Sequence, residues 1–77
     1  MSLTQKEEFV LGVLQDLQKR SNLSWIKSSH LTVGRSVRMT AGILGSLVSK
    51  DLVLRRCFRS GGNEYSLTAI AVEYLAH

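Results

Sequence analysis

The sequence predicts a small α+β domain, mainly helical, in which three helices are followed by a β-hairpin and a short C-terminal helix. Apolar residues recur at helical spacing between Thr4 and Arg20 and again between Ser36 and Lys50. The period then drops to two over Leu52 to Arg59 and Glu64 to Leu67, with Ser60-Gly61-Gly62-Asn63 between them as a hairpin signal. No proline interrupts any of these stretches.

The first helix opens with Thr4, followed three residues later by Glu7, the spacing of a capping box. Phe9, Val10, Val13, Leu14 and Leu17 then share one face, and Lys19 and Arg20 suit the negative end of the helix dipole before Ser21-Asn22 stops it. A short second helix is expected from Trp25 to His30, capped by Ser24 and anchored by Trp25, Ile26 and Leu31, although Ser28-Ser29 are poor helix formers. Leu31-Thr32-Val33-Gly34 is the turn, with Gly34 suited to a positive φ.

The third helix covers residues 36–50. Val37, Ala41, Leu44 and Val48, flanked by Thr40 and Leu47, form its expected buried stripe, and Arg38, Met39, Gly42, Ser46 and Ser49 its polar face. Gly42 and Gly45 each cost about 1 kcal/mol relative to alanine in a helix interior. A compensating close approach is therefore expected, to another helix or to a ligand backbone.

The hairpin covers 53–67. A tight turn centred on Gly61-Gly62 sets Arg59 opposite Glu64 and Phe58 opposite Tyr65. Leu54, Phe58, Tyr65 and Leu67 then face the helices, with Arg55, Cys57 and Arg59 on the other side. Thr68 caps a last helix to about Ala76, with Ile70, Ala71, Tyr74 and Leu75 inward.

Seventy-seven residues make one domain, 1–77, in which Met1-Ser2-Leu3 reads as a cloning-derived or disordered start. A chain this short buries only about 60–65% of its surface on folding, so a partner subunit is an expected source of stability. Cys57 is alone and cannot build a disulfide framework, which fits a reducing compartment. One cysteine with His30 and His77 falls short of a structural zinc set, so no metal or cofactor is expected. No apolar run approaches the roughly 18–20 residues of a membrane span and no signal pattern opens the chain, so the expected location is cytoplasmic, without membrane contact. There is no Ser/His/Asp or Cys/His grouping and no glycine loop after a strand, so neither an enzyme nor a small-molecule substrate is expected.

The charge is more informative. The net charge is +4, and the window from Arg35 to Arg59 holds six basic residues (Arg35, Arg38, Lys50, Arg55, Arg56, Arg59) against Asp51 alone. The residues before it net +1 and those after it −2, so the middle of the chain carries the excess. Such a concentration favours an anionic partner.

Two stretches carry a family resemblance. Leu47-Val48-Ser49-Lys50-Asp51-Leu52-Val53 is similar to the exit from a recognition helix into a wing, with Asp51 where glycine is common. Glu64-Tyr65-Ser66-Leu67-Thr68 is similar to the aromatic-x-Leu-Thr that closes a wing and caps a final helix. With the element order, these resemble the winged helix-turn-helix DNA-binding superfamily, broadly the MarR-like and PadR-like transcriptional regulators. The resemblance implies a sequence-specific regulator that binds double-stranded DNA as a homodimer, with helix 36–50 in the major groove and hairpin 53–67 as wing. Arg35 and Ser36 then meet phosphate at the helix start. Arg38 reads a guanine edge, Met39 or Thr40 touches a thymine methyl, and Gly42 allows close approach. Lys50, Arg55, Arg56 and Arg59, with Arg35, contact phosphates, and Gly61-Gly62 forms the wing tip. Helix one and the C-terminal helix offer the dimer surface.

Plainer readings stand beside these. Arg38 can be simply solvated, Arg59 can pair with Glu64, and Trp25 and Tyr74 suit the core better than a base-stacking platform. His30 reads as a turn or surface residue. Cys57 is an inert strand residue or, with arginines beside it, a redox-sensitive thiol. A winged helix also serves as a protein–protein adaptor that does not bind DNA, because fold does not fix function.

Overall fold

The computed structural model describes residues 2–32, 36–57, 59 and 62–76. In chain order they form α1 (Gln5–Ser21), β1 (Ile26–Lys27), a 3-10 turn at Ser28–Leu31, α2 (Val37–Ser49), β2 (Val53–Cys57), β3 (Asn63–Leu67) and α3 (Ala69–Leu75). The architecture is a small, mainly helical α+β domain with a three-stranded antiparallel sheet in the order β1-β3-β2.

The capping box forms as its spacing requires. The Thr4 hydroxyl accepts from the Glu7 N–H at 3.1 Å, and the Thr4 N–H donates to Glu7 Oε1 at 2.9 Å. Asn22 ends α1 in the left-handed region, a conformation that asparagine tolerates better than most residues. The buried stripe of α1 is Glu7, Val10, Leu11 and Leu14; Val13 and Leu17 are half-buried, and Phe9 is exposed rather than inward. The face is rotated because α1 must seat Glu7 against α2, which turns Phe9 outward.

The expected helix from Trp25 to His30 is replaced by the two-residue strand β1 and a 3-10 turn. β3 is paired by β2 on one edge, and Ile26 and Lys27 cover the other, opposite Tyr65 and Glu64. Two residues are too few to show a period of two, and Trp and Ile favour strands while Ser28-Ser29 resist helix. Ahead of the start of β1, Gln18 supplies the acceptor for the Leu67 N–H at 3.2 Å.

In α2 the buried side chains are Thr40, Leu44 and Leu47, with Ile43 and Val48 partly covered. Val37 and Ala41, expected inside, are exposed. The helix ends in a Schellman motif: the Asp51 N–H donates to Val48 O and the Leu52 N–H to Leu47 O, both at 3.0 Å. Asp51 takes the left-handed position (φ 63°), the conformation for which glycine is the usual residue there. Leu47 and Leu52, the apolar pair that accompanies this motif, are both fully buried.

The hairpin is in a different register from the expected one. Arg56 faces Glu64 and Arg55 faces Tyr65, which leaves residues 58–62 as the connection. The pairing is slipped by three residues, and an odd slip exchanges the two faces of a strand. Val53 and Arg55 therefore lie on the face of Tyr65, and Leu54 and Arg56 on the face away from the helices. Burial selects this register, because it aligns Val53, Tyr65 and Ile26 in the core, whereas Leu54 is exposed. Phe58 lies outside the described residues. Thr68 caps α3 as expected, accepting from the Ala71 N–H and donating to Asp51 O at 2.8 Å; Ala71 is buried, but Ile70 is exposed.

Candidate nucleic-acid interface

Ser36 starts α2 by accepting the Met39 N–H at 3.1 Å, so the face of its first two turns is set by a side-chain cap. Arg38, Met39 and Gly42 all project to solvent, joined by Val37, Ala41 and Ser49. Thr40 does not belong with them. It is buried, and its hydroxyl donates to Ser36 O at 3.1 Å, so it cannot reach a base edge and the assignment to a thymine methyl is corrected. An ideal Cβ built at Gly42 or Gly45 meets nothing within 4 Å. Among the described residues neither glycine is therefore needed for packing, and the expected approach to another helix is not found there.

The basic residues divide into two groups. Lys50 is half-buried and already paired: its ammonium contacts Glu7 Oε1 at 2.9 Å and Oε2 at 2.8 Å, and Ser46 Oγ donates to Glu7 Oε2 at 2.7 Å. Lys50 foremost, with the Thr4 N–H and the Ser46 hydroxyl, holds the Glu7 carboxyl down from 4.5 to about 2, against the opposing effect of burial. Arg56 is also committed, in an ion pair with Glu64 and stacked over Trp25 at 4.3 Å from the ring centroid. Trp25 thus serves as a half-buried support for Arg56 on the outer face of the sheet.

Arg38, Arg55 and Arg59 form the other group, exposed and without an ion pair among the described residues. The register decides this division. Glu64 takes Arg56 instead of Arg59, and Arg55 turns to the side of the sheet that packs against α2. Arg55 therefore lies on the sheet face of Val53 and Tyr65, opposite to the side expected from a tight turn. Gly62 is exposed, and a Cβ added there would meet no described residue beyond its chain neighbours within 4 Å. Arg35 and Gly61 lie outside the described residues. Cys57 is exposed at the end of β2.

The sequence reading leaves Gly45 out of the polar face, although it expects a close approach at this glycine as at Gly42. It also missed Lys6, which lines the same cleft as Arg38 and Met39. No spacing in the sequence relates residue 6 to residue 38; only the packing of α1 on α2 does. Among the described residues no three His, Cys, Asp or Glu side chains group as metal ligands, and no helix is long and apolar enough to cross a membrane. The sequence matches no protein-family model and no curated protein.

Proposed function

We propose that this chain is a winged-helix protein that binds double-stranded DNA, with α2 in the major groove and the β2–β3 hairpin against the adjoining backbone. The observation that carries the reading is the open face of α2, where Arg38, without an ion pair among the described residues, stands beside two glycines at which an added Cβ would meet none of the other described elements. A major groove about 12 Å wide admits one helix, and small residues allow it to sit deep. The element order and the β1-β3-β2 sheet are consistent with a winged helix in which the second helix is reduced to a 3-10 turn.

Arg38 is the residue suited to bidentate contact with a guanine edge, and Met39 to a thymine methyl. Arg55 and Arg59 suit phosphates, which position the protein without reading sequence. Lys50 and Arg56 are left out because Glu7 and Glu64 already hold them. Arg38→Ala is expected to reduce affinity for a selected site more than for mixed-sequence duplex, whereas Arg55→Ala reduces both alike. Anisotropy titrations with the two duplexes check this; equal losses for Arg38→Ala would remove its reading role. No binding at low salt by the unaltered chain would favour the adaptor reading instead.

The reading includes a two-fold dimer through the exposed sides of α1 and α3, where Phe9, Ile70 and Val72 leave apolar surface uncovered. Dimeric readers bind half-sites one helical turn apart. Sedimentation at micromolar concentration is expected to give a dimer, and a monomer throughout would contradict it.

A further inference from the structure

A cleft of about 450 Å³ runs between the first turn of α1 and one side of α2, from Arg38 to its C-cap Lys50. Met39 and Ile43 give it an apolar floor, Lys6 and Arg38 stand on it as exposed cations, and Lys50 within it is already neutralised by Glu7. Lys6 makes no ion pair among the described residues, and neither does Arg38. Arg38, Met39 and Gly42 belong both to this cleft and to the open face of α2, so the two surfaces are continuous.

We propose that the cleft carries one sugar-phosphate strand of the duplex, with Lys6 as a phosphate contact on the flank of α2 opposite the hairpin. This rests on the DNA-binding reading above and extends it. A helix is about 10–12 Å across with its side chains, so one that fills a groove about 12 Å wide has a phosphate strand along each flank. Arg55 lies on the face of the sheet that packs against α2. On the other flank the cation is Lys6, contributed by α1, and Met39 and Ile43 present apolar surface to the deoxyribose. Both strands are then gripped, one by the hairpin and one by the start of α1.

The test is a titration of mixed-sequence duplex between about 50 and 200 mM salt with the full chain, Lys6→Gln and Lys19→Gln. Lys19 is exposed on the last turn of α1 and removes the same charge away from the cleft. Lys6→Gln is expected to weaken binding several-fold and to make the log–log salt slope shallower by about 0.9, the share of one phosphate contact. Lys19→Gln is expected to leave the slope in place. Thermal melting of both variants at the temperature of the unaltered chain confirms that folding is intact. If the unaltered chain binds with a steep slope that Lys6→Gln does not change, or if both variants shift it equally, the cleft is off the DNA path. An acidic protein segment is then its better occupant. If the unaltered chain does not bind duplex at all, the underlying reading fails, which is a separate result.

Discussion

Glu7→Gln is expected to destabilise the fold by about 3 kcal/mol near neutral pH, a large share of the stability a domain of this size possesses. The carboxylate is 4% exposed and accepts four hydrogen bonds, from the Thr4 N–H, the Ser46 hydroxyl and, on each oxygen, Lys50. It ties the start of α1 to the end of α2. An amide keeps the partner for Thr4 but leaves the Lys50 ammonium without a counter-charge. Lys50 is about a third exposed and can turn toward water, which keeps the cost at the lower end for a broken buried pair.

The same pair fixes a pH dependence. The folded Glu7 carboxyl is held at about 2 against an ordinary 4.5. A lowered carboxyl contributes stability that is fully present above the unfolded value and is lost as the pH falls toward the folded one. The unaltered chain should therefore lose stability between pH 4.5 and about 2, and Glu7→Gln should lose less over that range. Urea midpoints at about pH 7 and about pH 3 measure both. A difference between the two proteins that stays constant on acidification would mean that the ion pair contributes little.

Residue-level burial explains why some of this was legible in the sequence and some was not. The caps at Thr4 and Thr68 are local chemistry within three residues, and both form as the spacing indicates. The change of period after Lys50 is also local, and β2 and β3 lie where it predicts them. What failed depended on distant partners. Lys50 reads as a free cation until α1 brings Glu7 to it across 43 positions. The glycines favour a tight turn, but the burial of Val53 and Tyr65 against the helices overrides that preference and places Arg55 and Arg56 each on the face opposite to the one expected. Ile26 and Lys27 form a strand because β3 has an open edge, which no local signal announces. At the candidate interface, Arg38, Met39 and Gly42 were legible from helical spacing. Thr40 was misplaced because it borders the buried stripe, where a rotation of one position decides between core and solvent.

Replacing Gly42 and Gly45 together by alanine is expected to move stability and binding in opposite directions. Each substitution should stabilise the helix by about 1 kcal/mol, because alanine restricts the unfolded chain and covers helix backbone without strain. The space is open: among the described residues, an added Cβ at either position meets no atom within 4 Å beyond its chain neighbours and its own helix backbone. Together they should raise the melting temperature by roughly 8–16 °C for a domain of this length. Duplex affinity should fall by about tenfold or more, equivalent to about 1.4 kcal/mol, since two methyl groups on the open face hold α2 away from the groove. A polar surface helix with no deep contact would show only the gain. Calorimetry and anisotropy on one preparation therefore separate the two uses of the face. A more stable protein with undiminished affinity would mean that α2 does not enter the groove, and the docking of this helix would have to be abandoned even if the chain binds DNA. Opposed shifts would instead identify the glycines as sites where stability is given up for closeness of approach, which the fold itself does not require.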